Sequence, residues 1–194
     1  MRFLTFLACS VLRNVLRLIS CSIHVHKLNH SLLTHYLLYA LKTLPCEIVS
    51  LSGLPAQLMT KDGLKATEAV LANKKAVGLY FSAHWCPPCR GFTPVLAQFY
   101  TELKAADPDA LEIIFVSSDQ DDNAFQEYYG DMPWTSVPFG DDAQDSLGQA
   151  FGVRGIPSFQ VLNAASGALV DSDGRSSVMG GKGDVVGTAK KWAA

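Results

Sequence analysis

Ala76-Val77-Gly78-Leu79-Tyr80-Phe81 runs through Ser82-Ala83 into His84-Trp85-Cys86-Pro87-Pro88-Cys89-Arg90. The first stretch is apolar without alternation, the pattern of a central strand buried on both faces. Beyond Pro87, the residues Phe92, Val95, Leu96, Phe99, Tyr100 and Leu103 stand at i, i+3, i+4, i+7, i+8 and i+11. That spacing predicts a helix with one broad apolar stripe, and Pro94 inside it predicts a kink. The Cys-x-x-Cys pair therefore sits at a strand-to-helix junction, which is a redox arrangement. Two thiols on a first helical turn close a disulfide without backbone rearrangement. Cys86 starts the helix, where free N–H groups and the macrodipole favour a thiolate, so it reads as an exposed nucleophile. Cys89 lies one turn in, is expected to be more buried, and suits the resolving role. Pro87 fits the first helical position because it has no N–H to lose. Pro88 completes the pair, Trp85 reads as a lid over the dithiol, and Arg90 adds positive charge near the thiolate.

Other chemistries for the pair lack their second half. A zinc knuckle needs another cysteine pair, and haem attachment needs His directly after the second Cys, where Arg90 stands. No metal and no cofactor is expected. Gly180-Gly181-Lys182-Gly183 lacks the Ser/Thr and the spacing of a phosphate loop and reads as an ordinary loop.

The chain has 194 residues, 48% apolar and 18% charged, which fits one domain with an extra segment. Its net charge of −2 hides an asymmetry. Residues 1–45 carry five basic residues and no acid, whereas the remainder carries 11 bases and 18 acids, a balance of −7. A domain at −7 is a poor nucleic-acid binder. Three of the five cysteines (Cys9, Cys21, Cys46) lie in or beside the basic segment, which leaves the domain with one dithiol rather than a disulfide scaffold. This usage fits a reducing compartment, cytoplasmic in first expectation.

The chain is divided here into an N-terminal extension, 1–45, and a domain, 46–194. The extension has three readings: an organelle transit peptide, a secretory signal or membrane anchor, and a segment without a role. Neither of its apolar stretches reaches the ~18 residues needed to span a bilayer. Within the domain, Glu47–Leu51 and Leu64–Ala69 read as two short strands of an N-terminal hairpin. A helical turn at Ala69–Asn73 precedes the central strand. Leu111–Val116 reads as a second buried strand, Asp122–Tyr129 and Ala143–Phe151 as helices. Ser158–Leu162 and Ala168–Asp171 read as a hairpin, and Val185–Trp192 as a terminal helix. The fold class is α/β with a mixed sheet.

Five separated stretches in this order resemble the thioredoxin superfamily, within it the tryparedoxin and nucleoredoxin branch. They are Tyr80 to Pro94, Val116-Ser117-Ser118-Asp119, Tyr128 to Trp134, Val153 to Ser158, and Asp173-Gly174-Arg175. The resemblance implies a thioredoxin-like fold, a mixed central sheet flanked by helices with an N-terminal β-hairpin. It implies that Cys86 attacks a client disulfide, that Cys89 resolves it, and that Pro157 is a cis-proline facing the dithiol. Ile156, Trp134 and Arg175 are then the substrate-binding residues, with the Ile156 backbone pairing with a bound chain. Tyr80 stands where ordinary thioredoxins have a buried Asp. Ser118 and Gln120 stand where tryparedoxins have a donor-contacting Trp and Glu.

Three functions follow from this reading. The first is a protein-disulfide reductase, a monomer that works with disulfide-containing client proteins and a thiol or reductase electron donor, away from nucleic acid and membranes. The others are a redox-dependent binding module of nucleoredoxin type and a membrane-tethered extracytoplasmic thiol reductase.

Overall fold

A computed structural model describes residues 51–181 and 183–193 of the chain. The extension 1–45, its His24, His26 and His30, and residues 47–50 of the predicted first strand lie outside the described residues. After a short 3₁₀ turn, Leu51–Gly53, come β1 (Gln57–Thr60), β2 (Gly63–Ala66), α1 (Thr67–Leu71), β3 (Ala76–Ser82) and α2 (Pro87–Ala106). Then follow β4 (Leu111–Ser117), α3 (Asp122–Gly130), β5 (Thr135–Ser136), α4 (Ala143–Ala150), β6 (Ser158–Asn163) and β7 (Leu169–Asp171). Two helices, α5 (Gly174–Gly180) and α6 (Val185–Ala193), close the described chain.

The strands form one mixed sheet in the order β2-β1-β5-β4-β3-β6-β7. β3 and β4 run parallel in its centre, and every residue of both is buried. Side chains alternate across a strand, so β3 divides its residues between two layers. Ala76 and Tyr80 face the larger core with Phe92, Leu96, Phe99 and Trp192 of α2 and α6 and with Phe125 of α3. Val77, Leu79 and Phe81 face the smaller core with Val70 of α1 and Leu147 of α4. Ser82, in phase with Tyr80, turns its hydroxyl to the α2 side, where it meets Tyr80.

The N-terminal hairpin is present; its second strand, Gly63–Ala66, overlaps the expected Leu64–Ala69, and its first strand is built from other residues than the pattern suggested. Leu51 opens a 3₁₀ turn, not a strand end, and the first strand is Gln57–Thr60. The reversal falls at Lys61-Asp62, and Gly63 takes φ 107° there, a conformation open to glycine. Two elements were not read from sequence. β5 is two residues long, too short for any period. α5 begins Gly-Arg-Ser-Ser, where Gly174, Ser176 and Ser177 are weak helix formers, and Asp173 caps it by accepting from Ser176 N–H. Gly180, placed in a loop by sequence, is its last residue. α2 continues through Pro94 for 20 residues.

Register positions the site. Phe81 of β3 pairs with Ser158 of antiparallel β6, so the turn leaving β3 lies beside Ile156-Pro157 entering β6. Ser82 pairs with Ser117 of parallel β4, so the same turn also lies beside Ser118-Asp119.

Candidate active site

Cys86 is the N-cap of α2, with Pro87 and Pro88 exposed in the first turn behind it. Its carbonyl accepts from the N–H groups of Cys89 and Arg90, both at 3.1 Å, which winds the dithiol into that turn. Both thiols are free. Cys89 is fully buried, more so than Cys86, as its place one turn into the helix suggested. Cys86 is only 4% exposed, less open than the sequence suggested, because Ala83 and Ile156 pack against the thiol pair.

The Ile156–Pro157 bond is cis, and the Cys86 thiol donates to the Ile156 carbonyl at 3.8 Å. Ile156 and Pro157 are half-buried, and Ile156 lines a groove of about 390 Å³. Phe81, Trp85, Ser118, Gln149 and Val153 line it with Ile156. Trp85 is 57% exposed and its indole N–H donates to the Ser118 carbonyl at 3.0 Å. It is a wall of the groove, outside the cluster that covers the two sulfurs.

Asp119 enters the sequence reading only as part of the Val116-Ser117-Ser118-Asp119 motif. Its carboxylate accepts from His84 N–H at 2.7 Å and from Ser117 Oγ at 2.8 Å. It thereby fixes the turn two residues before Cys86. The cap of α3 is Asp121, which accepts from Ala124 N–H at 2.9 Å.

Tyr80, in the place of a buried Asp, is fully buried, with its hydroxyl 2.8 Å from Thr93 Oγ1 and 3.0 Å from Ser82 Oγ. Burial pushes this phenol well above its usual range, so it stays neutral. Burial likewise pushes the Cys89 thiol up to about 11, with a smaller upward push from its hydrogen bond with Cys86 and a downward one from Ser82.

The remaining expected residues divide. Arg175 is exposed on α5, its guanidinium 5.8 Å from the centre of the Phe92 ring. Arg90 is exposed one turn into α2. Trp134 is corrected: it is 1% exposed and packs edge-on against Tyr80 and Tyr100, with centroids 5.9 and 5.8 Å away. A core residue cannot touch a substrate. The sequence brought it close to the site in motif order, and only packing shows that it lies beneath it.

A dithiol at a helix N-terminus, set against a cis-proline loop on a mixed sheet, defines a thioredoxin-type site. The chain belongs to the thioredoxin-like family, whose model matches residues 73–169. It is 42% identical to tryparedoxin of Trypanosoma brucei brucei over 123 residues, 63% of this chain and 83% of that protein. It is 43% identical to probable nucleoredoxin 1 of Arabidopsis thaliana over 133 residues, 69% of this chain and 22% of that protein. The chain thus spans about a fifth of the plant protein's length. Among solved structures, tryparedoxin from Trypanosoma brucei superposes with a TM-score of 0.63 at 39% identity, covering 69% of this chain and 92% of that one. This membership supports a thiol redox role.

Proposed function

We propose that the chain is a dithiol–disulfide oxidoreductase that reduces disulfides of client proteins. The observation that carries the reading is the free Cys86 thiol on the Ile156 carbonyl, at 3.8 Å, beside a groove with both apolar and polar walls. Cys86 as thiolate attacks a client disulfide and forms a mixed disulfide, releasing one client sulfur. Cys89 then attacks Cys86 Sγ, the bond to the client breaks, and the protein is left with a Cys86–Cys89 disulfide. Ile156 offers backbone groups to an extended client segment as a strand edge does. A thiol or a reductase returns the two electrons. Ser118 and Gln120 stand where tryparedoxins have their donor-contacting Trp and Glu, so the donor thiol is expected to differ from theirs. The working state is a monomer in a reducing compartment, the cytoplasm first.

Insulin reduction with dithiothreitol tests the reading. The intact protein is expected to accelerate insulin precipitation, and Cys86→Ser to abolish the acceleration. Intact protein without turnover sinks it.

A second reading, a redox-dependent binding module, is favoured by the exposed Trp85 beside the dithiol. In that case Cys86→Ser alters partner capture although no turnover is seen in the parent.

A further inference from the structure

The groove beside Cys86 has two unlike walls. Trp85 forms one. Its indole N–H donates to the Ser118 carbonyl, which fixes the plane of the ring, and the ring is exposed. The start of α4 forms the other, with Gln144, Asp145, Gly148 and Gln149. Gln144 is engaged within the fold. Its amide N–H donates to the Ser117 carbonyl at 3.3 Å, and its oxygen accepts from Gly140 N–H at 2.9 Å. Gly148 and Gly155 keep the space open, since a Cβ added to either would have no neighbour within 4 Å.

Among the described residues, Asp145 is the one charged residue that lines the groove. It is exposed, and none of the ion pairs among the described residues involves it. An acid in a first helical turn also suits the helix dipole, but Asp142 already stands at the N-cap of α4. Two other charges are close in the chain. Asp119, next to Ser118, carries the same sign and is engaged by His84 N–H and Ser117 Oγ. Arg154, between Val153 and Gly155, is exposed and is not a lining residue. The whole domain 46–194 carries a balance of −7.

A carboxylate and an indole ring on one groove suit a cation. The ring attracts it through its quadrupole and the carboxylate through charge, while the apolar stem of a lysine or arginine can lie against Phe81 and Ile156. Ile156 belongs both to the groove and to the Cys86 contact. A segment laid along Ile156 with its cysteine at Cys86 therefore brings a flanking side chain to the groove.

We propose that this groove selects client segments with a lysine or arginine within two positions of the disulfide cysteine, with Asp145 as the specificity-determining residue and Trp85 as the face that receives the cation. The inference rests on the reductase reading above and adds the class of client to it.

Competition in the Cys89→Ser protein, which traps the adduct, tests this. Each peptide carries one cysteine joined by a disulfide to the same small uncharged thiol. Paired peptides differ only in Lys against Met at one of the two positions on either side of that cysteine. In capture the Cys86 sulfur bonds to the peptide sulfur and the disulfide to the small thiol breaks. The small thiol leaves with the electron pair and takes up the proton that Cys86 gave up. Acid quenching and mass spectrometry give the ratio of the two adducts.

At one position or more the Lys peptide is expected to be captured about five- to tenfold faster, the combined size of one exposed ion pair and one exposed cation–π contact. Asp145→Asn is expected to cut that preference about threefold, and Asp145→Lys to reverse it. Asp145 is exposed on α4, so neither variant threatens the fold. Asp142→Asn removes the same charge outside the groove and is expected to keep the preference. A ratio near one at every position overturns the inference. So does a preference that Asp145→Asn leaves intact or that Asp142→Asn lowers equally, which marks the charge of the whole domain. No Cys86 adduct with any peptide overturns the reductase reading, and this inference with it. Adducts formed without preference overturn this inference alone.

Discussion

Gly78→Ala is expected to destabilise the domain through one aromatic ring. Gly78 lies in β3, paired on both sides, and its backbone is ordinary strand. Alanine suits that conformation, and by restricting the unfolded chain it contributes about 0.4–1 kcal/mol of stability. Its methyl carbon, however, would lie 2.5 Å from Cε2 and 2.7 Å from Cζ of Phe159. The ring has no room to retreat. A Cβ at Gly174, on α5, would lie 2.7 Å from Phe159 Cδ1, so the ring sits between two bare Cα atoms. Tyr80 and Trp192 hold it edge-on, with centroids 6.4 and 6.1 Å away. Overpacking of this kind costs about 1–3 kcal/mol, and the lack of escape puts it at the upper end. The clash therefore outweighs the entropy term, for a net loss of about 2 kcal/mol and a melting point lower by roughly 4–8 °C. Urea unfolding gives the loss, with an unchanged slope showing that the compactness of the end states is kept. Phe159→Leu removes the offending ring edge at a cavity cost. In the double variant the two losses are expected to fall short of additivity by at least about 1 kcal/mol. A Gly78→Ala protein within about 0.5 kcal/mol of the parent, or strictly additive losses, refutes the reasoning.

Three further outcomes are expected. Burial raises Cys89 to about 11, above the ~8.5 of a free cysteine, so its neutral thiol stabilises the fold fully below that lower value. That stability is lost as pH rises through the folded value. Melting curves should show the reduced parent losing stability more steeply than Cys89→Ser between roughly pH 9 and 11. Tyr129, pushed to about 12 mainly by burial, weakens both proteins alike, and parallel curves would contradict the assignment. Asp119→Ala removes the acceptor for His84 N–H and Ser117 Oγ, so insulin reduction should slow while far-ultraviolet dichroism keeps its shape. An unchanged rate would show that the turn holds without it. Asp121→Ala deletes the cap of α3 and should cost about 1 kcal/mol in urea titration, with Asp121→Asn recovering most of it.

Much of the site was legible because its signals are local. The unbroken apolar run Ala76–Phe81, the helical stripe from Phe92 and the cysteine spacing each follow from a period or a first turn of helix. The two thiols, the half-buried Pro157 and the neutral Tyr80 therefore lie where the sequence and the family resemblance put them. What failed was non-local or too short to carry a period. β5 exists because Ile114 and Phe115 offer it a parallel edge, and α5 because Gly174 and Val178 pack under Phe159 and the α2 helix. Trp134 was misread because motif order does not say which side of the sheet a ring falls on.

The sequence by itself determined where the dithiol sits and the kind of fold that carries it, since these depend on residues within a few positions of one another. Only the tertiary structure decided what surrounds the sulfurs. Ile156 stands over Cys86 because Phe81 pairs with Ser158, and Asp119 reaches the dithiol turn because Ser82 pairs with Ser117. The hydroxyls of Tyr80, Ser82, Thr93 and Tyr128, up to 48 positions apart in the chain, hydrogen-bond to one another where α2 and α3 pack on one face of β3. No pattern along the chain encodes that meeting, because hydroxyl partners are chosen by packing, and packing is a property of the closed fold.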